Sequence, residues 1–277
     1  MTEAVKLVTF LNVVFILFLV LSSSFSGFVG EVVYYLAFLI PVVVGFYSSC
    51  TLKIKREEIK GVAEPQETFF TLSKEKIMKL LPLIAPIVLA VFLASILTSL
   101  VLSFVGVTSA PIQDTGLFNM LLVHALIPAV FEEVLFRYIP LKILLPYSQR
   151  WCVLYSALCF ALIHCSFSQM PYAFVAGVIF MLVDVAFDSV WPSIILHLVN
   201  NSLSIVWMKY CSGVTATLVL FSAFVLVTLV SVIFIVRKRE EYRRIFAFSF
   251  DKGERIGLTY APFVLALICV YLAWSSL

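Results

Sequence analysis

The sequence predicts an all-α, polytopic membrane protein, a bundle of about eight or nine transmembrane helices. Of its 277 residues, 62% are hydrophobic and 13% are charged, and the mean hydropathy is +1.10. A soluble domain averages about 45–50% apolar and about 25% charged residues, so one water-soluble core cannot hold this many apolar side chains. Short loops leave room for spans of about 20 residues but for no sizeable soluble domain. We therefore expect a single membrane domain over residues 1–277.

Apolar runs between clusters of charge define the individual spans. The first run is too long for a signal peptide, and the next run follows it closely, so it is predicted to remain as a span. The longest polar stretch, residues 51–79, is predicted to be a basic cytoplasmic loop. The nine predicted spans lie near residues 7–27, 32–50, 80–107, 117–145, 151–167, 171–187, 189–207, 213–236 and 257–276.

The positions of the basic residues predict the orientation of the chain. With nine spans and a cytoplasmic N-terminus, only Lys209 of the nineteen Lys and Arg residues falls on the outer side. Loops in the cytoplasm carry an excess of Lys and Arg, so this pattern supports nine spans and an external C-terminus. We expect the plasma membrane as the location. The small net charge of +3 and the lack of a Gly-rich phosphate loop exclude nucleic acids and nucleotides as expected partners.

Two adjacent carboxylates lie inside the fourth predicted span. Ionisable groups cost roughly 2.5–3.5 kcal/mol each in a bilayer core, so their presence there indicates function. Glu133 and Arg137 are four residues apart with the acid first, the favourable order for a helical ion pair. The residue four positions after Glu132 is Phe136, which has no charge. The pattern thus predicts that Glu133 is held in a structural ion pair, and it gives Glu132 no basic residue at that spacing.

Two of the three histidines lie inside other predicted spans, each paired with a residue four positions away. Phe160 precedes His164 in the fifth span, and His197 precedes Asn201 in the seventh. By count, Glu132 lies 13 residues before Leu145 and His164 lies 13 residues after Trp151, which predicts a common depth. A carboxylate, two imidazoles and a carboxamide are therefore expected to converge in one polar pocket.

These residues form an ordered set of motifs that resembles a known family. Glu-Glu-x-x-x-Arg, Phe-x-x-x-His and His-x-x-x-Asn follow one another on three spans, as in the CAAX protease and bacteriocin-processing (CPBP/Abi) family of intramembrane endopeptidases. The resemblance covers residues 117–207, which it implies to be a four-helix catalytic core. It also implies hydrolysis of a peptide bond within or beside the bilayer, but it does not supply a substrate. We expect the substrate to be a membrane-associated, lipid-modified or exported peptide, or a membrane protein.

The resemblance implies a role for each residue of the motifs. Glu132 is the expected general base, His164 helps to hold the attacking water and relay its proton, and His197 with Asn201 donates hydrogen bonds to the oxyanion. The expected supporting residues are Glu133, Arg137 and Phe160.

A second mechanism is open to the same residues, because Glu132, His164 and His197 would make a plausible catalytic zinc shell. The usual His-Glu-x-x-His spacing is absent, which favours a mechanism without a metal or other cofactor.

Two functions from other classes also fit parts of the pattern. One is a non-catalytic membrane scaffold, or a regulatory or immunity protein of the same fold, and the intact motifs argue against it. The other is a transporter with a buried Glu and His relay, and the lack of duplicated halves argues against it.

Overall fold

The computed structural model describes residues 2–57, 69–107, 114–211, 213–247 and 260–275. Every regular element in these ranges is a helix, which confirms the predicted all-α fold class. The helices are α1 (Thr2–Ser23), α2 (Gly27–Glu57), α3 (Lys74–Ser103), α4 (Leu117–Ile143), α5 (Gln149–Leu162), α6 (Met170–Phe187), α7 (Trp191–Tyr210), α8 (Val214–Arg237), α9 (Arg239–Ile245) and α10 (Tyr260–Ser275).

Five of the described helices are long and apolar enough to cross a membrane, namely α1, α3, α4, α6 and α8. Shorter apolar stretches lie in α2, at Val32–Ser48, and in α10, at Leu265–Ser275. The chain is thus an integral membrane protein. Helix α5 has 14 residues, a length of about 21 Å against a hydrocarbon core of about 30 Å. The count of eight or nine spans stays a prediction.

The predicted basic loop at 51–79 is helical at both ends. Helix α2 continues through Glu57, and α3 already begins at Lys74. Ser73 is the N-cap of α3, and its hydroxyl accepts a hydrogen bond from the backbone N–H of Lys76 at 3.2 Å. Lys and Glu are good helix formers, so a helix need not end where its charged residues begin. Residues 58–68 of the predicted loop lie outside the described ranges.

The described residues group into two compact units, and α4 and α6 each contribute to both. The first unit takes its residues from Met1–Glu67, Phe131–Met181 and Ser249–Leu277. Its core contains an aromatic cluster in which Phe15 meets Phe38 at 4.8 Å and Phe136 at 5.8 Å between ring centroids, both edge to face. Such pairs add to the burial of apolar area.

Within this unit, α5 and α6 approach so closely that only glycine fits at the crossing. A Cβ atom on Gly177 would lie 2.9 Å from the Cα of Ala157. Small residues allow membrane helices to pack backbone to backbone in this way. The contact holds α5, which carries Phe160 of the Phe-x-x-x-His motif, against α6.

The second unit takes its residues from Thr68–Val130 and Leu182–Phe248. Its chain segment before α3 is bound to the start of α7, because Phe69 O accepts the N–H of Val190 at 2.8 Å and Phe70 O accepts Trp191 Nε1–H at 2.7 Å. Asp184 is fully buried, and its Oδ1 accepts the N–H of Ser193 at 2.9 Å. This carboxylate therefore satisfies one of the N–H groups that the first turn of a helix leaves over.

Helix α4 departs from regular α-helix at two π turns, Leu122–Leu126 and Val134–Tyr138, each followed two residues later by a proline. Proline has no N–H, so it cannot bond to the carbonyl four residues before it. For Pro140 that carbonyl belongs to Phe136, and the buried hydroxyl of Ser156 donates to it. Neighbouring side chains and local π turns are the usual means by which a membrane helix accommodates proline.

Candidate active site

The predicted site residues are divided between the two units. The first unit holds the Glu-Glu-x-x-x-Arg and Phe-x-x-x-His motifs, and the second holds His-x-x-x-Asn on α7. Their side chains are Glu132, Glu133, Arg137, Phe160 and His164 in the first unit, and His197 and Asn201 in the second.

Glu133 and Arg137 form the ion pair that their spacing predicts. Arg137 Nε lies 3.2 Å from Glu133 Oε2, and both side chains are 0% exposed. An isolated charge would be costly at this depth, so each group allows the other to remain ionised. The pair is enclosed in the core of the unit, which agrees with a supporting role.

Phe160 joins this ion pair to His164. The guanidinium carbon of Arg137 lies 3.9 Å from the centroid of the Phe160 ring, a cation–π contact. The other neighbour is the His164 imidazole, edge to face, with 5.0 Å between the ring centroids. The sequence indicates an aromatic side chain that supports the site, and the structure adds that it contacts both motifs of the first unit.

His164 lies in the turn after α5, whereas the sequence predicts it inside a span over 151–167. Helix α5 ends at Leu162. The N–H of Ile163 still donates to a carbonyl four residues back, but those of His164 and Cys165 donate to carbonyls only three residues back. Cys165 then takes a left-handed conformation with φ 45°, which an α-helix does not accept. Polar and apolar residues alternate after His164, so hydropathy did not mark this boundary, and the predicted span extended to residue 167.

The hydrogen bond at His164 determines which ring nitrogen carries the proton in the neutral form. Nδ1 lies 2.8 Å from the carbonyl oxygen of Phe160. A carbonyl can only accept, so Nδ1–H is the donor, and the lone pair of the neutral imidazole is on Nε2. His164 can therefore take up a proton at Nε2 without losing the bond that orients its ring.

The adjacent carboxylates Glu132 and Glu133 have different surroundings. Glu133 is completely enclosed, whereas Glu132 is half-buried and keeps part of its surface accessible. The phenol groups of Tyr34 and Tyr172 lie within electrostatic range of Glu132. Neither tyrosine belongs to a motif, so sequence spacing does not reveal them.

In the second unit, His197 is 5% exposed and Asn201 is half-buried. The carboxamide of Asn201 is held at both ends. Its Nδ2 donates to the carbonyl oxygen of His124 at 3.0 Å, and its Oδ1 accepts from Asn200 Nδ2 at 3.2 Å. One N–H of Nδ2 is thus engaged, and the other is the group that could serve an oxyanion.

Metal binding calls for at least three suitable side chains close together. Within the ranges that the structure describes, no group of three or more His, Cys, Asp and Glu side chains is arranged to hold a metal ion. The zinc shell considered from the sequence would draw Glu132 and His164 from one unit and His197 from the other.

In a comparison with family models, residues 114–203 match the family described as type II CAAX prenyl endopeptidase Rce1-like. No curated protein and no solved structure gives a significant match to the chain. The matched segment contains all three motifs. It confirms the resemblance that they predict, and it identifies residues 114–203 as a CAAX-protease-like segment of a membrane protein.

Proposed function

We propose that this protein is an intramembrane endopeptidase that hydrolyses a peptide bond of a membrane-associated, lipid-modified or exported peptide. The observation that carries the proposal is the family match over 114–203, because that family is one of endopeptidases and the match contains every residue of the three motifs. The peptide substrate and the lipid bilayer are the proposed partners.

The proposed reaction is a direct attack of water on the scissile carbonyl carbon. Glu132 accepts a proton from the water as its oxygen bonds to that carbon, with His164 Nε2 holding the water and relaying the proton. The carbonyl oxygen becomes an oxyanion, which accepts hydrogen bonds from His197 and Asn201. The relayed proton then passes to the amide nitrogen, the C–N bond breaks, and an acid and an amine are released.

Several contacts within the first unit support these assignments. Part of the Glu132 surface is accessible, while Glu133 is enclosed in its ion pair with Arg137. The bond from His164 Nδ1–H to Phe160 O leaves the lone pair of the neutral ring on Nε2. These features support water activation by Glu132 and His164, with Phe160 and Arg137 in supporting positions.

We propose that the mechanism uses no metal, since the His-Glu-x-x-His spacing of common zinc peptidases is absent. The alternative is a zinc ion held by Glu132, His164 and His197, which would polarise the carbonyl and activate water. Elemental analysis of the purified, active protein separates the two. A stoichiometric metal whose removal by a chelator abolishes cleavage would exclude the metal-free mechanism.

We also propose that the protein lies in the plasma membrane with a cytoplasmic N-terminus. Only Lys209 of the nineteen basic residues would then lie outside. To test this orientation, single cysteines are introduced at Lys6 or at Lys209 in a cysteine-free variant and labelled in spheroplasts. Reagent that does not cross the membrane should label only the cysteine at position 209.

The experiment that tests the function compares peptide termini in membranes containing the wild-type chain, Glu132→Gln or Glu240→Gln at matched protein levels. Glu240 is a matched control, because it is an exposed glutamate on α9. New termini should appear with wild type and Glu240→Gln and be absent with Glu132→Gln. Identical termini in all three, with an unchanged cellular phenotype, would refute the peptidase and favour a scaffold or immunity protein.

A further inference from the structure

The carbonyl of His124, in the second unit, lacks the donor that a regular α-helix would supply, because the residue four positions later is a proline. In a regular α-helix this oxygen would accept the N–H of residue 128, and Pro128 has none. The local backbone is a π turn, Leu122–Leu126, and Pro128 follows it as a buried residue. The carbonyl of His124 instead accepts Asn201 Nδ2–H from α7 at 3.0 Å.

Membrane helices make such a bond matter more than it would in water. A backbone carbonyl without a donor costs free energy in a hydrocarbon environment, so the donor that satisfies it is held in place. Here the donor is the terminal carboxamide of the His-x-x-x-Asn motif. Asn200 Nδ2 meets the other end of that carboxamide, at Oδ1, so the two bonds together distinguish its oxygen from its nitrogen.

We propose that Pro128 is a positioning residue for Asn201, an inference that rests on the proposed function. By withholding a backbone N–H from His124 O, Pro128 makes that oxygen an acceptor for Asn201 Nδ2. One N–H of the carboxamide points to the His124 carbonyl. Because the amide is planar, this bond also fixes the direction of the second N–H, which is the proposed donor to the oxyanion. A residue with an N–H at position 128 would compete with Asn201 for the same oxygen.

A proline with a side-chain donor at the carbonyl four residues before it occurs a second time in α4, within the described residues. Pro140 has no N–H for the carbonyl of Phe136, and the hydroxyl of Ser156 donates a hydrogen bond to that carbonyl. Ser156 is fully buried and belongs to no motif. The first instance differs because its donor is a residue of the proposed reaction.

A double-mutant cycle on thermal stability tests the coupling without reference to activity. In the otherwise wild-type chain, Asn201→Ala should lower Tm by about 2 °C, because His124 O loses its donor. In the Pro128→Ala background the new backbone N–H at position 128 replaces that donor, so Asn201→Ala should lower Tm by less than about 1 °C. Equal losses of Tm in the two backgrounds would overturn the proposal.

A second cycle measures kcat and KM on the membrane peptide that the comparison of termini identifies. Asn201→Ala should lower kcat about 100-fold, as expected for removal of one oxyanion donor. Pro128→Ala should lower kcat about 10-fold and change KM by less than about twofold. In the Asn201→Ala background, the same substitution should lower kcat further by less than about twofold. Pro82→Ala is the matched control, a helix-interior proline of α3 in the same unit, and should retain kcat.

The two proposals fail in different ways. Wild-type kcat in Pro128→Ala beside a strongly reduced kcat in Asn201→Ala would refute the positioning role alone. An equal loss from Pro128→Ala in both backgrounds would also refute it, because Pro128 would then act on the helix and not through Asn201. Cleavage by Glu132→Gln at the wild-type rate would refute the proposed function itself.

Discussion

The guanidinium carbon of Arg137 lies 3.9 Å above the ring of Phe160. Arg137 is four residues after Glu133 on α4, and Phe160 is four residues before His164 near the end of α5. This one contact therefore connects two motifs that are separate in the sequence. It also explains why an aromatic residue suits position 160, since an aliphatic side chain has no π face for the buried cation.

Replacing Phe160 by Leu should weaken both stability and turnover. The variant loses the cation–π contact and the edge-to-face contact with His164, so we expect a loss of about 2 kcal/mol in the free energy of unfolding. A less well-held imidazole should lower kcat more than it raises KM. Phe174→Leu is the control, because Phe174 is 36% exposed on α6. Equal losses in the two variants would contradict a specific role for Phe160.

Removing one partner of the buried ion pair should be far more damaging than removing both. Glu133→Gln leaves the enclosed guanidinium of Arg137 without its carboxylate, which should cost about 3–5 kcal/mol in the free energy of unfolding. The double variant Glu133→Leu with Arg137→Met should recover most of that loss, because no charge remains buried. Thermal denaturation of both variants measures this. Additive losses would show that the pair is not a coupled unit.

A methyl group at position 177 should force α5 and α6 apart. The Cβ of Gly177→Ala would meet the backbone of Ala157 at 2.9 Å, and we expect a cost of about 1–3 kcal/mol in the free energy of unfolding. Gly45→Ala is the comparison, because its Cβ would meet side-chain atoms of Ile139 and Leu11 and no backbone atom of a neighbouring helix. A loss in Gly177→Ala no larger than in Gly45→Ala would argue against the close crossing.

The contribution of Asp114 to stability should disappear in acid. Its pKa lies below the usual range because Lys209 Nζ donates to both carboxylate oxygens, at 3.0 and 3.1 Å, and the N–H of Gly116 donates to one of them. A lowered pKa means that the contribution is present above the ordinary value of about 3.9 and is lost as the pH falls through the lower folded value.

Measuring Tm of wild type and Asp114→Asn between pH 7 and pH 3 tests this prediction. The difference in Tm between the two proteins should be small, since Asp114 is exposed, and should narrow as the pH falls below about 4. Lys209→Gln should show the same narrowing. A gap that stays constant to pH 3 would mean that the carboxylate does not act through its charge.

Much of the local organisation follows from patterns along the chain. Composition predicts an all-α membrane protein. The four-residue spacing of Glu133 and Arg137 predicts their ion pair, because the two residues are neighbours in one helix. The end of α5 before His164 does not follow from hydropathy. Polar and apolar residues alternate there, and the left-handed turn at Cys165 decides the boundary.

By itself the sequence determined the helical membrane class and the spacing of the three ordered motifs, because burial cost and helical spacing act over a few residues. These motifs also carry the resemblance to CAAX proteases. The contact between Arg137 and Phe160 and the bond from Asn201 to the His124 carbonyl were decided only by the tertiary structure. Both join residues distant in the chain. Proline leaves a carbonyl without a donor, but only packing chooses which side chain satisfies it.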